Sequence, residues 1–582
     1  MRPVPTLSPV LVLALAGSAS GQAFFPAELE LSSLDGTTGF VLKGIDSRDF
    51  SGNSVSSAGD VNGDGIDDII IGANGADPNG HYAAGASYVV FGRMAGFGAS
   101  LELSSLDGTM GFVINGIDAY DFSGRSVSSA GDVNGDGLDD LIIGANRADP
   151  NGNSGSGESY VVFGRTTGFG ASLELSSLDG TTGFVLNGID ANDFSGASVS
   201  SAGDVNGDGI DDIIIGAYKA YPNRINLLAG ESYVVFGRTT GFNASLDLST
   251  LNGTTGFMLN GVDAFDYSGY SVSSAGDVNG DGIEDLIIGA ILADPNGNPK
   301  AGESYVVFGR STGFGASLDL SSLDGTNGFV LNGIDANDRS GFSVSSAGDV
   351  NGDGIDDLII GAVLAGPNGN SEAGESYVVF GRSTGFGASL DLSSLDGTMG
   401  FVINGIDAYD LSGRSVSSAG DVNGDGIDDL IIGAYRADPN GNSKAGESYV
   451  VFGRSTGFGA SLDLSSLDGT NGFVINGIDV LDYSGFSVSA AGDVNGDGID
   501  DIIIGAPRAD PNGVDSAGES YVVFGRRCLA DTNHDGMLTP ADFTAWSAAF
   551  NAMAPECDQN GDGLCTPADF TAWVANFTAG CG

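Results

Sequence analysis

At 582 residues the chain is too long for one simple hydrophobic core, so several domains or an array of repeats are expected. Glycine supplies 97 residues without a Gly-X-Y period, which excludes collagen, and 41% hydrophobic residues exclude a compositionally disordered chain. A formal charge of −55 excludes nucleic acid and anionic membrane surfaces as partners, and it calls for counter-cations.

The N-terminus reads as a secretory signal over residues 1–23. Arg2 is the positive end, Leu7–Ala16 the apolar stretch, and Ser18, Ala19, Ser20, Gly21 and Ala23 the small residues for cleavage. That stretch is too short to span a bilayer stably, and no later run is long enough, so no transmembrane segment is expected. The mature protein is expected to be secreted or surface-associated. Next comes a leader, Glu28–Ile45, that matches the connector and first strand of later repeats. The array ends at Tyr521–Gly525 with no such connector after it, so the leader is predicted to supply the missing strand of the last unit.

The second repeat shows the grammar of the array. Gly111–Ile117 is a short apolar run, and Ser126–Val133 alternates small, apolar and polar residues. Asp140–Gly144 and Glu158–Gly164 read as buried strands. Between them lie an acidic loop, the turn Asp149–Gly152 and a connector, Gly168–Gly180. This makes four strands per repeat and an all-β ring. Seven four-stranded units, each unable to bury both faces alone, close radially into a seven-bladed β-propeller, with an open solenoid as the alternative.

The acidic loop, Gly-Asp-Val-Asn-Gly-Asp-Gly-(Ile/Leu)-(Asp/Glu)-Asp, occurs seven times at intervals of 72 residues, once 73. Oxygen ligands at loop positions 1, 3, 5 and 9, plus the carbonyl at 7, suit a hard cation such as Ca²⁺. In the first copy these are Asp60, Asn62, Asp64, Asp68 and Ile66, with Gly65 at the turn. The second copy has Asp132, Asn134, Asp136, Leu138 and Asp140. The third has Asp204, Asn206, Asp208, Ile210 and Asp212, and the fourth Asp277, Asn279, Asp281, Ile283 and Asp285. The fifth has Asp349, Asn351, Asp353, Ile355 and Asp357, and the sixth Asp421, Asn423, Asp425, Ile427 and Asp429. The seventh has Asp493, Asn495, Asp497, Ile499 and Asp501. Position 12, a carboxylate in an EF-hand, is here an isoleucine such as Ile71 inside an apolar run, so these are loops between two strands. Carboxylates about 4 Å apart repel by about 4 kcal/mol at an effective dielectric near 20, so metal binding and folding should be coupled. The extra acid at position 8 (Asp67, Asp139, Asp211, Glu284, Asp356, Asp428, Asp500) is expected to face solvent.

Together, Phe-Ser-Gly, Ser-Val, the acidic loop, Asp-(Ile/Leu)-Ile-Ile-Gly-Ala and Tyr-Val-Val-Phe-Gly resemble FG-GAP repeats over roughly residues 24–527. The resemblance implies the seven-bladed propeller of integrin α subunits and of many bacterial surface proteins. In later copies the Phe of Phe-Ser-Gly becomes Tyr267, Arg339, Leu411 and Tyr483. Integrins keep metal loops in only some blades. All seven copies are complete here, which points to metal as a structural staple.

Residues 528–582 form a different module. Two 12-residue loops start 27 residues apart, offering Asp531, Asn533, Asp535, the Met537 carbonyl and Asp542, then Asp558, Asn560, Asp562, the Leu564 carbonyl and Asp569. A helix is expected to follow each, with Thr as N-cap, Pro in the first turn and an aromatic stripe, Phe543/Trp546/Phe550 or Phe570/Trp573/Phe577. Core packing of a tiny domain is the simplest use of those stripes. Cys528, Cys557, Cys565 and Cys581 read as two disulfides with three possible pairings. The duplicated loop-helix resembles a dockerin, a small α-helical module with two F-hand-like calcium loops. That implies a cohesin-like or envelope receptor, although the cysteines depart from the cellulosomal type.

The functional expectation is an exported, monomeric ring with about seven Ca²⁺ in the propeller and two in the tail, acting in adhesion or interaction with an extracellular protein or glycan. The alternatives are a carbohydrate-active or other extracellular enzyme using the propeller face, and a structural surface-matrix component. The inventory weighs against catalysis. Only His81 and His534 exist, neither recurs, the ring has no Cys, and the recurring acids are committed to metal. The most deviant loop, Ala220–Leu228 with Arg224 and Ile225, is the best candidate for a specific contact.

Overall fold

The computed structural model describes residues 25–222 and 226–526, and in the tail Ala530, Thr532, 540–552, Cys557, Gln559 and 565–579. The secretory leader, residues 1–23, lies outside the described residues. So do Arg224, Ile225, Cys528, Cys581 and the tail ligand candidates Asp531, Asn533, Asp535, Met537, Asp558, Asn560, Asp562 and Leu564.

Seven β-sheets form the ring. In the first blade the innermost strand is Ser54–Gly59, followed outward by Asp68–Ala73, Ala86–Val90 and Gly111–Asn115, all antiparallel. Each choice has a local cause. Asp68–Ala73 is buried at every position because neighbouring blades cover both its faces, hence the unbroken Ile69-Ile70-Ile71 run. The innermost strand alternates small and apolar residues, because this is where the seven blades converge. Its pairing slips between Ser57 and Gly59, and this bulge delivers the chain into the acidic loop.

Each sheet has five strands rather than the expected four. The connector read as Gly168–Gly180 contains a short strand, Ser172–Glu174, that pairs in parallel with Gly111–Asn115, followed by a 3₁₀ turn at Leu175–Ser177. Leu173 and Leu175 are buried, and the added strand covers an otherwise open outer edge.

The leader closes the ring twice. Gly39–Lys43 pairs antiparallel with Glu519–Val523 as the fourth strand of the seventh blade. Glu28–Glu30 pairs in parallel with Gly472–Asn476 of the sixth. The open solenoid is thereby excluded. Between repeats, a connector phenylalanine stacks on a strand phenylalanine, as in Phe112–Phe169 at 4.1 Å and 6°, and an arginine caps it, as Arg165 does Phe169 at 4.2 Å. Phe25 from the leader completes the set against Phe473 at 4.3 Å.

In the tail, α1 (Pro540–Ala552) and α2 (Pro567–Ala579) start on the expected prolines. Thr566 caps α2: its hydroxyl accepts from the Ala568 amide, while its own amide donates to Asp569. The aromatic stripes form the tail's core. Trp546 and Trp573 are buried, and Phe543 meets Trp573 at 5.3 Å. Cys557 and Cys565 are joined by a disulfide. Among the described residues no helix is long and apolar enough to cross a membrane.

Candidate functional site

The acidic loops join the innermost strand to the next at one end of every blade. Position 1 organises the turn. The Asp60 carboxylate accepts from the amides of Gly63 at 2.7 Å, Asp64 at 3.0 Å and Gly65 at 2.8 Å. Position 5, Asp64, accepts from the Ile66 amide at 3.1 Å. Position 9, Asp68, is fully buried and accepts from the amides of Val61 and Gly92 and from the Asn62 side-chain amide. The other copies repeat the turn: Asp132, Asp204, Asp277, Asp349, Asp421 and Asp493 each accept from the amide at position 5 of their own loop.

Burial is what sets the electrostatics. It pushes the carboxyls of Asp68, Asp140, Asp212, Asp285 and Asp357 up to about 8 and Asp501 to about 9, and the nearby position 5 and position 1 acids add to the rise. Burial likewise holds Asp429 well above its ordinary value. Three acids on one loop thus feel one another, although their oxygens are turned onto backbone amides. Among the described residues no group of three His, Cys, Asp or Glu side chains converges as a metal cluster. The residues nevertheless fit a hard cation. The donors are all oxygen, and in the sixth loop the buried Asn423 Oδ1, a predicted ligand, has no hydrogen-bond partner. In the tail, Asp569 is engaged by Thr566 and Gln559, and Asp542 is buried.

The position 8 acids do not face solvent as the sequence suggested. Asp139 of the second blade accepts from the Asp60 amide of the first at 2.9 Å, and the same bond recurs at Asp132–Asp211, Asp277–Asp356, Asp349–Asp428, Asp421–Asp500 and Asp493–Asp67. Gly59 makes this close approach possible: its φ is 66°, and a Cβ there would collide with the Asp139 carboxylate. At the remaining junction the acid is Glu284, one methylene longer, and it accepts from Ser274 Oγ at 3.4 Å instead.

The opposite end of the innermost strands, about 17 Å away by strand rise, opens into a cavity of about 400 Å³ on the ring axis. Ser54, Ser126, Ser198, Ser271, Ser343, Ser415 and Ser487 encircle it. Each serine Oγ accepts from a valine amide of the following blade at 3.0–3.2 Å, beginning with Val127 on Ser54 and ending with Val55 on Ser487. Sequence reading missed this site. Its signal lies in comparing the repeats column by column, because the near-identical copies diverge here. The residue preceding the ring serine is in turn Asn53, Arg125, Ala197, Tyr270, Phe342, Arg414 and Phe486.

A family model described as FG-GAP repeat matches residues 51–90, 123–162, 195–235, 268–307, 340–379, 412–451 and 484–523. The chain is 30% identical over 244 residues to integrin alpha-5 of Xenopus laevis, covering 41% of this chain and 20% of that protein. It is 29% identical over 249 residues to integrin alpha-V of Gallus gallus, covering 42% and 20%. It is also 33% identical over 176 residues to phosphatidylinositol-glycan-specific phospholipase D of Bos taurus, covering 30% and 19%. The chain therefore spans about a fifth of the length of these relatives.

Proposed function

The chain is built from seven FG-GAP repeats, and from that premise we propose that it is a calcium-stabilised, extracellular interaction module without catalytic activity. The observation carrying this reading is the buried position 9 carboxyl of each loop. Asp68 and its six counterparts sit fully buried near two further acids, an arrangement that is costly without a cation. Calcium at these loops would supply charge neutralisation. The residues to hold it are the side chains at positions 1, 3, 5 and 9, with Asp60, Asn62, Asp64 and Asp68 as the first set. The loops are expected to take about seven ions and the tail about two, through Asp542, Asp569 and the acids before them.

Similarity to integrin alpha chains supports an adhesive role outside the cell, and the tail is inferred to tether the ring through an envelope receptor. The phospholipase D likeness spans 19% of that protein. Among the described residues, no constellation of acid, base and nucleophile stands out in the ring beside it. A glycan and matrix-protein array tests the reading with the calcium-loaded chain. Retention without turnover is the expected result. Turnover would make it an enzyme, and no retention would leave only a structural role.

A further inference from the structure

We propose that the axial cavity is a binding site for the acidic group of a saccharide, a sugar carboxylate or sulfate seated among guanidinium groups. The inference rests on the reading of the ring as an interaction module and names the ligand class it takes.

Positive charge is concentrated at this mouth. The chain has 76 acids against 21 Lys and Arg, yet basic side chains gather at this mouth without carboxylate partners. Arg125, Arg147 and Arg414 line the cavity or lie on its rim. Among the described residues the only ion pairs are Lys43–Glu102 and Arg48–Asp515, both elsewhere. Arg414 lies over the rings of Phe486 at 4.5 Å and Phe342 at 4.8 Å, and Arg147 over Phe122 at 5.1 Å. Aromatic faces thus hold the guanidinium groups in place while leaving their N–H edges unspent. The neighbouring Arg436 has a buried Nε with no hydrogen-bond partner. Burial, together with the positive charges of Arg125 and Arg436, lowers the Arg414 pKa, which an incoming anion would relieve.

The wall of the cavity is polar. Each ring serine spends a lone pair on a valine amide, which leaves its proton to donate, and only Ser415 passes that proton to a carbonyl, Val488 O at 3.4 Å. The bore is therefore a ring of donors, which selects an acceptor-rich ligand. An acidic peptide is the weaker candidate. Strand addition needs a run of free edge amides, and each innermost strand already has its valine amide taken by a ring serine.

The lining also breaks the seven-fold repeat. Asn53, Asn74 and Asn146 come from the first two blades, whereas aromatic side chains including Tyr218, Tyr270, Phe342 and Phe486 come from the third, fourth, fifth and seventh. A seven-fold structural plug needs no such difference between blades, whereas a site that orients a single ligand does.

The test uses the full calcium-loaded chain at physiological salt and measures calorimetric binding of oligogalacturonate, dextran sulfate, neutral dextran and poly-L-glutamate. The variants are the pair Arg125→Gln with Arg414→Gln, and Arg147→Gln alone in case the pair fails to fold. The expected result is binding of a carboxylated or sulfated saccharide, none of dextran, and affinity about tenfold or more weaker in the variants. Which of the two acidic saccharides binds more tightly tells carboxylate from sulfate. Unchanged affinity in well-folded variants would place the saccharide on the acidic loops through bridging calcium and overturn the proposal. Equal or tighter binding of poly-L-glutamate would overturn it in favour of an acidic peptide. Calcium-dependent melting, followed in parallel, separates the two readings. If it persists while no saccharide binds, only the cavity assignment falls. If it is absent while saccharide binds, the calcium reading falls and the cavity stands.

Discussion

The Asp67 carboxylate of the first blade accepts the Asp493 amide of the last at 2.9 Å, across 426 residues of sequence. Five other junctions carry the same bond between consecutive blades. The acid that follows the turn in one loop thus holds the first residue of the neighbouring loop, and the ring closes with the device that joins its ordinary neighbours. At the other end of the innermost strands, the serine–valine bonds form a second closed belt, joined by Val55 on Ser487.

The exception at Glu284 gives a stabilising substitution. Glu284→Asp shortens the side chain to the length that reaches the neighbouring loop amide elsewhere, here that of Asp204. A hydrogen bond to a charged acceptor contributes about 1.5–3 kcal/mol, reduced here by the repulsion of nearby acids, so a gain of about 1 kcal/mol is expected. Urea unfolding of the calcium-loaded chain measures it. A neutral or destabilising outcome would mean that the position 8 bond is only a by-product of blade spacing.

Calcium removal should have a large effect and a single lost ligand a small one. Chelation leaves seven sets of crowded acids uncompensated, and the melting temperature is expected to fall by tens of degrees. Asp60→Ala removes the acceptor of three loop amides and one cation, leaving six loops intact. Its expected cost is about 1–3 kcal/mol, with bound calcium lower by one ion. Melting that ignores chelation at low ionic strength contradicts the coupling. Collapse of the whole ring in Asp60→Ala would show cooperativity far beyond nearest neighbours.

The raised position 9 carboxyls give the metal-free ring an unusual pH response. Their ordinary value is 3.8, and in the fold Asp68 and its counterparts are lifted to about 8. Between these limits the folded chain keeps protons that the unfolded chain has released, so stability falls as pH rises. Chelated and dialysed protein should therefore melt at a higher temperature near pH 5 than near pH 8. Saturating calcium should flatten or reverse the trend, because the cation needs the ionised oxygens. Scanning fluorimetry across pH, with and without calcium, reads both slopes. A metal-free ring more stable near pH 8 would show that these acids are ionised in the fold.

Much of this architecture is legible in one repeat, because the residues that make each element are local. Ile69-Ile70-Ile71 announces a strand covered on both faces, and the Asp149–Gly152 turn announces the break after its counterpart in the second blade. The Glu28–Ile45 leader gives ring closure away by matching later connectors. What escaped were relationships between repeats. Ser172–Glu174 is too short to read as a strand until its parallel partner, Gly111–Asn115, is known. Asp139 looks like a spare surface acid until the neighbouring blade brings the Asp60 amide to it. The axial cavity is contributed by every blade, so no single repeat contains it. In the tail the helices and aromatic core follow from Pro540, Pro567 and the two stripes, since capping and periodicity are local signals.

Phe25 offers the sharpest test of how the ring is fastened. Six of the seven phenylalanine stacks place a connector ring on a strand ring that precedes it in the chain, as Phe242 does on Phe184 at 4.1 Å, and one of the six, Phe97 on Phe40, uses the leader strand Gly39–Lys43. The seventh, Phe25 on Phe473, is made by the leader, whose chain reaches the sixth blade only by crossing the closure. Replacing a buried phenylalanine by alanine costs about 3–5 kcal/mol wherever packing is complete, so Phe25→Ala and Phe242→Ala should lower unfolding free energy comparably, with Phe242, the more exposed ring, at or below the lower end. They should differ in where the fold opens. Phe25→Ala loosens the leader, so hydrogen exchange is expected to rise at Gly472–Asn476, which pairs with Glu28–Glu30, and at Glu519–Val523, which pairs with Gly39–Lys43. Phe242→Ala should leave both segments protected. Equal exchange at the closure in the two variants would mean that the ring opens as one unit, and that the leader is no weaker a seam than any other junction.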